Sequence, residues 1–150
     1  MSPEAATEVG RIGAVCAMGF AAVGSGIGSG LGGAGAVGAW KKLLGQGKMP
    51  TFTLITFVGA PLSQTIYGMI LMITMMGKAD AGYNPWALLG VGIGAGIGIG
   101  ASAYAQGKVG AHCADALGET GQGFSNYLAV IGIVETVAIF VMVFTILALG

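Results

Sequence analysis

Charge is what this sequence has least of. Twelve of its 150 residues are Lys, Arg, Asp or Glu, 8% of the chain, where a soluble domain carries about 25%. So little charge leaves too little polar surface for a soluble fold of this length. It also excludes disorder, which needs a chain poor in apolar residues and rich in charge. Six basic residues balance six acidic ones, and without a basic patch there is no electrostatic footprint for nucleic acid. Cysteine is scarce too. Cys16 and Cys113 lie far apart, with no metal-type or redox-type spacing, and read as two reduced small residues. A basic leader region is missing as well: Glu4 and Glu8 stand beside Arg11, so no cleavable signal peptide is expected. In place of these features the chain is 55% hydrophobic and contains 30 glycines. That composition describes an integral membrane protein.

The few charges divide the chain. Residues 12–40 and 49–77 are uncharged runs of 29, residues 81–107 are a run of 27, and residues 120–150 contain only Glu135. A bilayer core of about 30 Å needs about 20 apolar residues in a helix. Each run spans once and none spans twice. The expected fold is therefore all-α, with four transmembrane helices over about 12–44, 50–77, 84–116 and 122–149. They pair as two hairpins, residues 1–80 and 81–150. Turns fall at Gly45–Pro50 and Gly118–Gly121, and Asn84 with Pro85 starts the third helix. Trp40, Tyr83 and Trp86 sit at span ends, where amphipathic rings belong. Lys41, Lys42 and Lys48 in the first loop and Lys108 in the third place both loops in the cytoplasm by the positive-inside rule.

The hairpins repeat. Residues 23–30 match residues 91–98 at an offset of 68, and Gln64-Thr65 matches Glu135-Thr136 at an offset of 71. Glycine alternates through Gly24, Gly26, Gly28 and Gly30, and again through Gly92, Gly94, Gly96 and Gly98. On a helix this spacing makes small-xxx-small ridges, which let backbones approach closely in a membrane. The expectation is an inner layer of helices crowded around an axis. The G-x-G-x-x-G match beginning at Gly28 lies inside this ridge, without the strand that a dinucleotide site needs before it.

Glu135 is the one charge within the four runs. An acidic side chain at a bilayer centre costs about 2.5–3.5 kcal/mol on the insertion scale. No Lys, Arg or His lies within any of the four runs, so the expected partner is a mobile ion. Helix two supplies Ser63, Gln64 and Tyr67 on one face, after a Pro61 that removes a backbone N–H. Helix three supplies Gln106, which an antiparallel turn at Gly118–Gly121 brings level with Glu135. A hard cation binds through several oxygens. The candidate Na⁺ ligands are the Glu135 carboxylate, the Gln64 and Gln106 amide oxygens, the Ser63 hydroxyl and the Ala60 carbonyl, with Tyr67 donating to Glu135. An interhelical hydrogen-bond cluster without an ion is the bland alternative. His112, near the third loop, is expected at the solvated surface.

With Pro61-Leu62-Ser63-Gln64-Thr65-Ile66-Tyr67-Gly68 in helix two, Gln106 in helix three and Glu135 in helix four, the chain resembles the rotor proteolipid of V-type rotary ATPases. In particular it resembles the sodium-pumping bacterial type, the K subunit. That resemblance implies a site made by a backbone carbonyl, a Thr-Gln pair, a Tyr, a Gln and a Glu, roles that fall here on Ala60, Ser63 with Gln64, Tyr67, Gln106 and Glu135. Ala60 replaces the usual Leu, and Ser63 replaces the usual Thr. It further implies a homo-oligomeric ring with helices one and three inside, a stator subunit of the a/I type carrying a basic residue, a central-stalk subunit at the cytoplasmic loops, and no catalytic site in the chain itself. The rivals are a proton-carrying rotor of the same fold, a small four-helix ion-coupled antiporter, and a purely structural pore.

Overall fold

A computed structural model describes all of residues 1–150. Every regular element is helical: α1 (Pro3–Gly45), α2 (Ile55–Gly59), α3 (Ser63–Asp80), α4 (Pro85–Thr120) and α5 (Phe124–Leu149). One 3-10 turn, Phe52–Leu54, precedes α2, and a second, Ala60–Leu62, joins α2 to α3. Phe52–Asp80 thus forms one interrupted rod. With α1, α4 and α5 it makes four helices long and apolar enough to cross a membrane.

α1 begins nine residues before the expected start near residue 12 and is 43 residues long. At 1.5 Å per residue it reaches roughly 65 Å, about twice a bilayer core. Ser2 caps it through Ala5 N–H, with Pro3 in the first turn, so polar residues before Arg11 continue the helix outside the apolar run. α4 also outlasts its expected end at 116. Gly118 is no part of the turn: it is buried inside α4 against Ala39, and the reversal is made at Gly121–Gly123. Both Gly121 and Gly123 have positive φ, 68° and 86°, a region that glycine adopts without strain. At the other end, Asn84 accepts from Trp86 and Ala87 N–H, with Pro85 at the first helical position, as its sequence predicts.

α1 and α4 make the most extensive contact in the molecule. They run parallel, with Gly13 against Gly92, Gly24 against Gly100, Gly28 against Gly107 and Ala39 against Gly118. These pairs are 76 or 79 residues apart, so the glycine match at an offset of 68 is out of register with the packing. A long run of small residues offers many near-equivalent registers, and only backbone contact fixes its height. The ridge glycines divide accordingly. A methyl on Gly24, Gly28 or Gly92 would strike backbone across the α1–α4 seam, and one on Gly96 would crowd the Cys16 and Ala17 carbonyls. Gly26, Gly30 and Gly94 face open space, and Gly98 only touches Val141 on α5.

Two apolar clusters fill the bundle. One joins Ala17, Ala21, Leu71, Met75, Leu88 and Ile99, and the other joins Leu54, Phe57, Ala114, Leu117 and Ile131. Phe57 meets the rings of Phe124 and Tyr127 edge-on. Ion pairs stay at the ends, with Arg11 on Asp80 at 2.9 Å and Lys42 on Glu119 at 3.2 Å. Both are solvent-exposed and worth about 0–1 kcal/mol each. Cys16 and Cys113 are free thiols, and His112 is exposed.

Candidate functional site: a polar layer across three helices

Between the two apolar clusters lies a layer of polar side chains. Pro61 places the first of them. It cannot donate to the Phe57 carbonyl, and the Ala60 N–H goes to Thr56, so the rod tightens into the 3-10 turn Ala60–Leu62. The Phe57 carbonyl lies against Gly32 of α1 and Gly110 of α4, where a Cβ would collide with it. Such Cα–H···O approaches make weak compensation for a lost backbone bond. The turn also gathers three oxygens. Ser63 Oγ donates to Ala60 O at 2.9 Å and lies 3.1 Å from Gln64 Oε1.

From Gln64 a chain of side-chain hydrogen bonds crosses the bundle. Gln64 Nε2 donates to Gln106 Oε1 at 2.9 Å, and both side chains are 0% exposed. Gln106 Nε2 donates to the Ile131 carbonyl at 3.1 Å and to Glu135 Oε2 at 3.4 Å. Tyr67 donates from its hydroxyl to Glu135 Oε1 at 2.7 Å, the short length of a charge-assisted bond. The amide orientations follow from one fixed point. The Ile131 carbonyl can only accept, so Gln106 must turn its nitrogen to it. The Gln106 oxygen is then left for Gln64, and the Gln64 oxygen faces Ser63.

All six residues that the sequence singles out therefore come together: Ala60, Ser63, Gln64, Tyr67, Gln106 and Glu135. Their roles are finer than the residue types alone indicate. The Gln106 oxygen points at Gln64, and its nitrogen, not its oxygen, points at Glu135. Sequence reasoning misses Ser102, yet its hydroxyl closes on the Val134 carbonyl at 2.9 Å and ties α4 to α5 one turn from Gln106. The available signal is its position four residues before Gln106. Sequence reasoning also misses Ser25 and Ser29, which look like small residues in the glycine ridge of α1, and both hydroxyls are buried.

Glu135 is half-buried at the α3–α5 edge, and the neighbouring Ile66, Ile133 and Val137 are exposed. It forms no ion pair, since every salt bridge lies at the helix ends. No group of three His, Cys, Asp or Glu side chains converges anywhere, so the chemistry on offer is one carboxylate with neutral oxygens. Such a set holds a proton or a hard monovalent cation reversibly, and a tight transition-metal site would need nitrogen or sulfur donors.

Among curated proteins, none matches the chain. Its second hairpin, residues 89–148, matches the family model of the C subunit of ATP synthase.

Proposed function

We propose that the chain is the ion-carrying rotor subunit of a V-type rotary ATPase of the bacterial sodium-pumping type, and that its cargo is Na⁺. The observation that carries this reading is Glu135: a carboxylate within an apolar span, held by Tyr67 and Gln106, with no cationic partner in the chain. The oxygens of Ala60, Ser63 and Gln64 favour Na⁺ over a proton, because a proton needs only the carboxylate. The match to the C subunit of ATP synthase favours a rotor over the antiporter and pore readings.

Copies of the chain form a ring with α1 and α4 inside and the α3 and α5 spans outside. Each copy carries one ion at Glu135. A basic residue of an a/I-type stator subunit draws the carboxylate off its ion, one ion leaves and another enters. Moving one charge across 100 mV is worth about 2.3 kcal/mol, supplied by ATP hydrolysis in a separate soluble sector. The Lys-bearing loops lie in the cytoplasm of a bacterial cell and dock on a central-stalk subunit.

Carbodiimide labelling of the purified ring tests the cargo. Glu135 is labelled, Na⁺ protects it at fixed pH, and protection weakens as falling pH lets protons compete for the carboxylate. Labelling indifferent to Na⁺ assigns the cargo to H⁺. Glu135→Gln keeps the ring and abolishes transport; transport that survives this substitution removes the rotor reading altogether.

A further inference from the structure

α1 also contributes to the polar layer. Ser25 and Ser29 stand one turn apart, and neither hydroxyl oxygen has a hydrogen-bond partner in the protein. Ser25 is 2% exposed. Buried polar atoms are almost always paired, so two orphans on one helix face call for a physical reason. The packing shows what they face. α1 and the Phe52–Asp80 rod run antiparallel, with Ala21 against Gly68, Gly28 against Pro61 and Gly32 against Phe57. That register sets Ser25 level with Gln64 and Ser29 level with Ala60. Ser25 lies four residues after Ala21 and three before Gly28, on the same stripe of α1 that faces α3.

Gln64 has capacity to spare. It is 0% exposed and gives one amide N–H to Gln106, while its oxygen lies 3.1 Å from Ser63 Oγ, whose single proton goes to Ala60 O. One N–H and the oxygen lone pairs remain free. The α4 counterpart of Ser25 is Ser102, one turn before Gln106, and it satisfies itself directly on a carbonyl of α5. Ser25 has no such bond. A second cation does not fit here. The only carboxylate in the layer is Glu135, which is already held from other helices, and a charge beside neutral hydroxyls and amides would be buried uncompensated. Water, at once donor and acceptor, matches the free groups.

We propose that Ser25 holds a buried water molecule against Gln64, and that this water fixes the amide so that its oxygen stays beside Ser63 and Ala60. Ser25 is then a positioning residue, acting on the cargo ion only through Gln64. This functional half rests on the Na⁺ reading, whereas the water itself does not.

Two measurements on the assembled ring decide it. A map that resolves ordered solvent shows a water within hydrogen-bond distance of both Ser25 Oγ and the Gln64 amide, with or without Na⁺. A Ser25 hydroxyl bonded directly to a backbone carbonyl, with no water beside Gln64, overturns the proposal. Ser25→Ala raises the Na⁺ concentration for half-protection against carbodiimide by about 3- to 10-fold, as expected for the loss of one net hydrogen bond, with ring mass unchanged. Ser29→Ala, farther from Gln64, shifts it less. If Na⁺ protects the parent ring and Ser25→Ala leaves the midpoint where it was, the positioning role is wrong. If Na⁺ fails to protect the parent ring, the cargo assignment falls and the map alone decides the water.

Discussion

At the scale of single residues the layer is a relay in which each side chain fixes the next. Tyr67 and Gln106 hold the two oxygens of Glu135, and their removal should differ in kind. Tyr67→Phe deletes one bond to a charged group, worth about 1.5–3 kcal/mol, and should weaken Na⁺ protection by about tenfold or more while the fold survives. A midpoint that does not move would mean that Tyr67 is a spectator. Gln106→Leu removes the donor to Glu135 and to Ile131, and also strands a buried Gln64 N–H, at about 1–3 kcal/mol for the orphan alone. It should lower the thermal stability of the detergent-solubilised ring as well as its ion affinity. Equal stability to the parent would show that Gln64 finds another partner. The residue types of this relay are legible in the sequence, because one acid in an apolar span demands company. The direction of the Gln106 amide is not, because it depends on the Ile131 carbonyl, a backbone group to which residue identity gives no clue. Ser25 and Ser102 are hidden for another reason: a serine in a small-residue ridge serves equally well as a spacer.

At the scale of helices, the α1–α4 seam and the Pro61 turn do different work. The seam is made of backbone against backbone, so its glycines are not equivalent. Gly107→Ala would drive a methyl into the backbone of Gly28, and well-packed seams lose about 1–3 kcal/mol or more to such overpacking. The expected result is a lower melting temperature and less assembled ring. Gly26→Ala meets nothing within the chain and gains helix propensity, so the isolated protomer should tolerate it. If both variants melt like the parent, close approach does not hold these helices together. The Pro61 turn sets the site rather than the seam. Pro61→Ala restores the N–H that the Phe57 carbonyl lacks. The rod should straighten, carrying the Ala60 carbonyl and Ser63 away from Gln64, with a loss of Na⁺ affinity larger than any loss of stability. The four spans are legible because each uncharged run matches one bilayer crossing. The helix ends are not: α1 continues through polar residues under a Ser2 cap, and Gly118 serves packing against Ala39 although it has the composition of a turn.

At the scale of the whole molecule, a single charged group serves four spans. The apolar clusters on either side of the layer contain no ionisable side chain other than thiol and phenol groups, and the remaining carboxylates lie toward the helix ends. A carboxylate within the layer therefore occurs once per 150 residues, although the fold presents two hairpins. At the position in the first hairpin that corresponds to Glu135 stands Gln64, neutral and fully buried. On the proposed Na⁺ reading, the number of ions is thereby tied to the number of chains. Purified rings weighed by native mass spectrometry and assayed for tightly bound radioactive sodium should hold one ion for each chain. Glu135→Gln rings of the same mass should hold none. A ratio near two would require a second carrier, for which only Gln64 and the α1 serines are available, and neutral oxygens cannot balance a cation sealed between helices. Such a ratio would overturn both the single-carrier account and the assignment of water, rather than an ion, to Ser25.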